Sequence, residues 1–313
     1  MRVVVTGGAG FIGANLARVM VDLGLEVVVV DDLSTGSRAN LDGVDARFLE
    51  GSVLEPDLLD EALTDADAVV HLAALPSVPR SVADPLASHH ANATGTLQVL
   101  EAVRRAGGPY LVVASSSSVY GANPTMPKHE GMRTAPLSPY AVSKLATEAY
   151  TLAYAHCYGL DVLAFRFFNV FGPLQRADHA YAAVVPAFVD AALSGRPIPL
   201  HGDGTQTRDF TYVGSVARVI TEAVRRRVVS ADPVNLAYGG RTSLLGLIDL
   251  LEAIVGHPLA RASLPPRAGD VPHSQADRQR LSTLFPALEP VPLERGLEET
   301  VRWFAQAHQT SLV

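Results

Sequence analysis

Cysteine is almost absent from this chain of 313 residues. Cys157 stands alone, which excludes an intrachain disulfide and a thiolate metal site. Histidine offers no substitute: His71, His89, His90 and His201 do not fall at metal-ligand spacing, so no metal is expected. No apolar run reaches the ~18 residues that a membrane span needs, and no membrane partner is expected. A basic stripe is also missing. The densest run, Arg225-Arg226-Arg227, is short, and a net charge of −7 argues against a nucleic-acid partner. Repeats and low-complexity tracts are not found. The chain opens on Arg2-Val3-Val4-Val5 with glycine at position 7, which leaves no apolar region for a signal peptide, so a cytoplasmic location is expected. What remains is the composition of an ordinary enzyme, 48% hydrophobic and 18% charged. Its length suits one large domain or two unequal ones.

Short β-branched runs alternate with helical patterns through the first half. Val3–Val5, Val27–Val30, Ala68–His71, Tyr110–Ala114 and Val162–Phe165 read as buried parallel strands with apolar-periodic helices between them. That alternation predicts the α/β class, a Rossmann-type doubly wound parallel sheet. After Pro173 the texture changes. Prolines and glycines cluster in Gly195-Arg196-Pro197-Ile198-Pro199, in His201-Gly202-Asp203-Gly204 and in Pro265-Pro266-Arg267-Ala268-Gly269-Asp270. A smaller α/β C-terminal substrate lobe is the expectation there.

Thr6-Gly7-Gly8-Ala9-Gly10-Phe11-Ile12-Gly13 follows the first strand directly and opens a helix. In that context glycines at 7, 10 and 13 allow a tight turn and a close backbone approach to a pyrophosphate at the helix N-terminus. The second strand ends at Asp31-Asp32, eighteen residues past Gly13. An acid there binds a ribose 2′-hydroxyl and repels a 2′-phosphate, so NAD is expected rather than NADP.

Ser138-Pro139 reads as an N-cap and first helical position, which places Tyr140 and Lys144 one turn apart on one helix face. Taken alone, such a pair also suits any solvated helix surface. Beside a dinucleotide site it reads as a base. Lowering a tyrosine from about 10 to about 7 requires roughly 4 kcal/mol in favour of the phenolate, which a close cation can supply.

Further motifs follow in order: Val30-Asp31-Asp32-Leu33-Ser34-Thr35-Gly36, His71-Leu72-Ala73-Ala74, Asn92 with Gly95-Thr96, and Ser115–Gly121. Then come Arg166-Phe167-Phe168-Asn169-Val170-Phe171-Gly172-Pro173, Gly202–Phe210, Gly269-Asp270-Val271 and Gly296–Phe304. Over nearly its whole length the chain resembles the extended short-chain dehydrogenase/reductase superfamily. Within the NAD-dependent epimerase/dehydratase family, the branch of UDP-hexose 4-epimerases fits best. The resemblance implies an NAD-binding Rossmann domain over 1–173, with a returning segment around 209–238, and a nucleotide-sugar lobe from 174–208 and 239–313. It implies cofactor contacts from Gly7, Gly10, Phe11, Ile12, Gly13, Asp31, Asp32, Ser34, Thr35 and Gly36. It adds Ser52, Val53, Leu72, Ala73, Ala74, Asn92, Tyr140 and Lys144 to that set. It further implies that Tyr140 is the acid/base, that Lys144 holds the nicotinamide ribose and tunes Tyr140, and that Ser116, counted back from Val119-Tyr120-Gly121, orients the substrate hydroxyl.

In related 4,6-dehydratases an Asp-Glu pair follows the catalytic hydroxyl and eliminates water. Ser117 and Ser118 stand there instead, and neither is an acid or base at neutral pH. What remains is a hydride leaving C4, a 4-keto sugar and a hydride returned to the opposite face. The resemblance places the substrate on Ser77, Arg80, Ser116, Ser117, Tyr140, Asn169, Arg208, Arg267 and Asp270, where two guanidiniums suit a diphosphate. Ser274 stands where relatives can carry a bulky aromatic, which leaves room for N-acetylated sugars. The expectation is an isomerase that keeps its NAD and converts UDP-glucose and UDP-galactose, with UDP-GlcNAc and UDP-GalNAc alongside. UDP-glucuronate, with a loop cation such as Arg176 on its carboxylate, stays open, as do dTDP in place of UDP and a nucleotide-sugar oxidoreductase or decarboxylase. A non-enzymatic NAD sensor would be expected to lack Ser116, Tyr140 and Lys144. Leu145, Ala149 and Leu152 share a face of the Tyr140 helix, which core packing explains, and the family often dimerises through this helix, so a homodimer is expected. Two departures stand out: Ser52 replaces an adenine-side aspartate, and Gly214-Ser215 replaces an Asp-Asp, with Ser215 expected to cap the next helix.

Overall fold

The computed structural model describes residues 1–177, 182–265 and 272–310. Its centre is a seven-stranded sheet. The strands run in chain order as β1 (Arg2–Thr6), β2 (Glu26–Asp31), β3 (Arg47–Glu50), β4 (Ala68–His71), β5 (Tyr110–Ser116), β6 (Val162–Phe167) and, after the short β7 to β10, β11 (Val234–Leu236). Their spatial order is β11-β6-β5-β4-β1-β2-β3, and every pairing is parallel. The order reverses between β1 and β4, so a crevice opens at their carboxyl ends, where a doubly wound sheet takes its ligand.

Valine fills these strands because both faces are covered. Val3, Val5, Val27, Val29 and Val70 pack under α1 (Phe11–Asp22) and α8 (Val213–Arg226). Val4, Val28, Val30, Val69 and Val113 pack under α2 (Pro56–Ala62) and α5 (Gly95–Arg105). Each such side chain contributes about 1.5–3 kcal/mol on burial. Two strands escape the sequence pattern. The edge strand β3 is only partly buried, and β11 is three residues long with Asn235 at its centre. β11 returns to the first-half sheet by pairing with β6.

A third apolar cluster lies outside the sheet. It joins α7 (Val184–Leu193), α9 (Leu244–Val255) and α11 (Leu293–Thr310) around Phe188, Leu247, Ile248 and Leu297. The short strands β8 (Ile198–His201) and β13 (Arg261–Leu264) pair in parallel beside it. α8 begins one turn before the expected cap: Tyr212 is its N-cap residue, without a side-chain hydrogen bond. Ser215 is buried inside that first turn and accepts a hydrogen bond from the Val291 N–H at 2.9 Å. Its neighbour Gly214 is needed because a Cβ there would sit 2.7 Å from the Tyr212 ring. No helix among the described residues is long and apolar enough to cross a membrane.

The Tyr140 helix, α6 (Pro139–Tyr158), starts as its sequence requires. Ser138 accepts from the Ala141 N–H at 3.2 Å, and Pro139 is the first helical residue. Gly159, left-handed at φ 69°, ends it. Leu145 packs with Val119, Tyr120 and Phe168, and Leu152 packs on the second sheet face. Ala149, grouped with them by the sequence, is exposed. What fixes α6 to the sheet is ionic. Glu148 accepts from Arg166 Nε at 2.9 Å and Nη2 at 2.6 Å, and from Ser115 Oγ at 2.9 Å. Both charged side chains are about 5% exposed.

Removing one partner of such a pair leaves a buried, uncompensated charge. Arg166→Leu should therefore lower unfolding free energy by about 3–5 kcal/mol. Urea denaturation with an unchanged midpoint would show that the pair does not anchor α6.

Candidate active site

The glycine turn forms a cradle that only glycine permits. Gly7 has φ 69°, and a Cβ on it would lie 2.6 Å from the Ala73 nitrogen. A Cβ on Gly13 would lie 2.3 Å from the Gly7 carbonyl oxygen. The backbone is thus packed to its limit between β1, β4 and α1. α1 begins at Gly10 without a side-chain cap and carries no acid in its first turn. Its first amides are left for an anion, as a pyrophosphate requires. Asp31 closes the cradle at the end of β2. It is buried, and its carboxylate accepts from the Ala9 N–H at 2.9 Å and the Leu33 N–H at 2.8 Å. Burial pushes its pKa up, and those amides oppose the shift. Each oxygen keeps a lone pair for a ribose hydroxyl.

The surrounding loops hold to this turn. Asp32 accepts from the Ser34 N–H at 2.9 Å, and Ala9 O accepts from the Ser37 N–H at 3.0 Å. Gly36 lies so near Ala9 that a Cβ would approach its carbonyl to 2.8 Å. Ser52 and Val53 follow β3; Ser52 Oγ accepts from the Leu54 N–H, and Val53 is in the core. Leu72, Ala73 and Ala74 follow β4, braced by Asn92. That side chain exchanges hydrogen bonds with Leu75, at 2.7 and 3.2 Å, and donates to Ser143 Oγ at 2.9 Å. Asn92 is 1% exposed and sits in a π-helical turn, His90–Thr94, between α4 (Pro85–His89) and α5. Its amide ties the loop after β4 to α6. Beneath the loop, His71 bridges Thr6 Oγ1 at 2.7 Å and Thr96 Oγ1 at 3.1 Å. Burial, and then the Lys144 charge, depress its pKa to about 3, so this histidine is neutral and structural.

Ser116, Tyr140 and Lys144 meet where β5 ends against α6. Tyr140 is pushed above the usual phenol range by burial, and a hydrogen bond with Ser116 pulls it back. Lys144 is anchored to the strand beneath it. Its ammonium donates to the Ala114 carbonyl at 2.8 Å, and burial lowers its pKa to about 8. Ser116 Oγ itself accepts from Ser118 N–H at 3.1 Å and from Ser118 Oγ at 2.9 Å. Ser117 opens the short turn Ser117–Tyr120 beside them.

On the lobe side, a cavity of about 200 Å³ is lined by Asn169 and Arg208, with Gln175, Gln206 and His201, against Phe188, Phe210 and Leu244. Ser116, Tyr140 and Lys144 lie outside its walls. Asn169 adopts φ 28° and donates to the Asp209 carbonyl at 3.3 Å. Arg208, nearly buried, donates to the carbonyls of Thr207 at 2.9 Å and Pro272 at 3.2 Å. Ser77 caps α3 (Val78–Ala83), accepting from the Arg80 N–H at 3.3 Å, and thereby holds Arg80 in the first turn. Arg267 and Asp270 lie outside the described residues.

Three residues of this region were not singled out by sequence reasoning: Glu148, Arg166 and Asp209. Asp209 is fully buried, with Oδ2 accepting from the N–H groups of Gly239 and Ala276, both at 3.0 Å. Burial raises its pKa to about 6. It ties the segment carrying Arg208 to two loops of the other half. Its place within Arg208-Asp209-Phe210 was the only sequence signal.

Residues 3–237 match the model of the NAD dependent epimerase/dehydratase family. A UDP-glucose 4-epimerase of Mycolicibacterium smegmatis is 36% identical over 315 residues, covering 99% of this chain and 100% of the relative. A solved UDP-N-acetylglucosamine 4-epimerase from Methanobrevibacter ruminantium, in complex with UDP-N-acetylmuramic acid, superposes with a TM-score of 0.92 at 36% identity over 98% of each chain. A UDP-glucuronic acid 4-epimerase from Bacillus cereus, in complex with UDP-glucuronic acid and NAD, gives 0.90 at 31% identity over 98% of this chain and 100% of that one. With the glycine cradle, the buried acid after β2 and the Ser116–Tyr140 contact in place, this chain belongs to the NAD dependent epimerase/dehydratase family.

Proposed function

We propose that this chain is a UDP-hexose 4-epimerase that retains its NAD. One observation carries the reading. A Tyr140–Ser116 pair able to take a proton from a carbinol is followed by Ser117 and Ser118, which cannot run an elimination. The glycine cradle, the uncapped start of α1 and Asp31 would hold the cofactor, with Lys144 on the nicotinamide ribose. Bound there, NAD would supply reversible hydride transfer at C4. Tyr140 takes the O4 proton as the C4 hydride departs and gives it back on return. Ser116 shares its single proton between O4 and Tyr140 Oη. Asn169 and Arg208, with Arg267 as the resemblance implies, hold the diphosphate, and the apolar end of the cavity takes the base. The buried setting removes water that would compete for the Tyr140 proton.

UDP-glucose and UDP-galactose are the first substrates of this reading. Ser274, buried and bonded through its N–H to Thr207 O at 3.0 Å, lies beside the Arg208 strand and supports the N-acetylated sugars as further ones. UDP-glucuronate is the second reading, supported by the Bacillus cereus relative.

The chain is further proposed to work as a homodimer through α6. Val142, Ala149, Tyr150, Ala153 and Cys157 form an exposed, mostly apolar stripe along four turns. Val82 and Leu86, on the adjoining α3 and α4, are 65% and 80% exposed. A stripe of this kind fits the same stripe on a second copy.

Three outcomes test these statements. Purified protein given UDP-glucose, UDP-GlcNAc and UDP-glucuronate, without added cofactor, should equilibrate the C4 epimers of at least UDP-glucose. Stoichiometric accumulation of an oxidised sugar would overturn the epimerase reading. Tyr140→Phe should fold, retain NAD and lose activity by about 10²-fold or more; full turnover would remove Tyr140 from the mechanism. Sedimentation should give twice the 33.1 kDa of one chain, and Tyr150→Glu should shift it to monomer. A monomeric wild type would end the dimer proposal.

A further inference from the structure

A serine hydroxyl has two lone pairs and one proton. In Ser116 both lone pairs are engaged, and by the same residue. The Ser118 N–H donates at 3.1 Å, and the Ser118 hydroxyl donates at 2.9 Å. The first bond is the ordinary side-chain cap of the Ser117–Tyr120 turn. The second is not required by any turn. It exists because Ser118, at the position where the resembling dehydratases carry a glutamate, folds back onto Ser116 Oγ. The turn is held from beyond as well: the Gly121 N–H donates to Ser118 O at 3.1 Å, and Gly121 has φ 44°. A Cβ on Gly121 would lie 1.9 Å from the Ala135 carbonyl oxygen, so this turn requires glycine there.

We propose that Ser118 is a positioning residue that fixes Ser116 as a permanent hydrogen-bond donor, its single proton shared between Tyr140 Oη and the substrate O4. The inference rests on the epimerase reading for its substrate and on the two Ser118 hydrogen bonds for its geometry. With both lone pairs taken, Ser116 has no capacity to accept a proton. When the O4–H bond breaks, the proton goes directly to Tyr140 Oη, and Ser116 keeps its own. Ser116 is then a fixed dipole rather than a relay. A donor held in this way favours the two species that bear negative charge in the cycle, the Tyr140 phenolate and the O4 of the forming or returning carbonyl. The direction of the Tyr140 shift agrees, since Ser116 is the group opposing the effect of burial. Because the hydroxyl does not have to reorient between the forward and return transfers, the same arrangement serves both faces of the keto sugar.

Ser118→Ala and Ser118→Thr, made in the full chain with its retained cofactor, test this. Ser118→Ala frees one lone pair. It should lower kcat about three- to tenfold, the worth of one hydrogen bond, with KM changed less than twofold. The ascending limb of its kcat/KM pH profile should move to higher pH, and Ser118→Thr should restore both values. Titration of Tyr140 by phenolate absorbance, as the difference from Tyr140→Phe, reads the same shift without turnover. That readout stands even where no UDP-sugar is epimerised, so loss of the functional reading and loss of this inference are told apart. An unshifted Tyr140 titration in Ser118→Ala overturns the proposal, as does an equal defect in the alanine and threonine variants. A raised KM with normal kcat would instead make Ser118 a substrate contact and overturn it too.

Discussion

The contact on which the site depends is the buried pairing of Glu148 with Arg166. Both groups have left water, and their attraction offsets that loss only because the geometry is bidentate and Ser115 satisfies a further lone pair. Glu148 belongs to α6, Arg166 to β6 and Ser115 to β5. One carboxylate therefore sets how the helix bearing Tyr140 lies on the strand bearing Ser116. The pair also reaches outward. Arg166 stacks over the Tyr120 ring at 4.8 Å, and Tyr120 donates to Asn235 Oδ1 at 2.6 Å. Asn235 donates in turn to the Lys128 carbonyl at 2.8 Å. The network joins the catalytic helix to the last strand of the sheet and to the loop between β5 and α6.

Burial then does the electrostatic work at the centre. It raises Tyr140 and lowers Lys144 and His71, so each group is pushed toward its neutral form. A site made this way disfavours charge on each group unless a hydrogen-bond partner stabilises it. Ser116 is so placed for Tyr140, and the Ala114 carbonyl for Lys144. Cheap local devices set the geometry, and the low dielectric makes each of them count.

Some of this was legible in the residues and some was not. The five central strands show as valine-rich runs because both of their faces are buried. β3 and β11 do not, since an edge strand and a three-residue strand need no apolar run. The cap at Ser138 was legible because capping is local. Ser215 had the same chemistry, yet the helix starts at Val213 and its hydroxyl serves Val291, 76 residues away. Ala149 shared a helix face with Leu145 and Leu152 on paper, but α6 is turned so that Ala149 faces out with Val142 and Tyr150.

By itself the sequence determined the elements whose causes are local. These are the glycine turn, the acid at the end of β2, the helix start at Ser138 and the one-turn spacing of Tyr140 and Lys144. Combined order made the family resemblance, since so many motifs do not fall in one sequence by accident. Only the tertiary structure decided which groups share a hydrogen bond. Lys144 turned to a backbone carbonyl, Asn92 was spent bracing a loop, and Ser118 folded back onto Ser116. Those choices depend on where β5, α6 and the π-helical turn come together, and residues that meet from distant parts of the chain leave no periodicity to read.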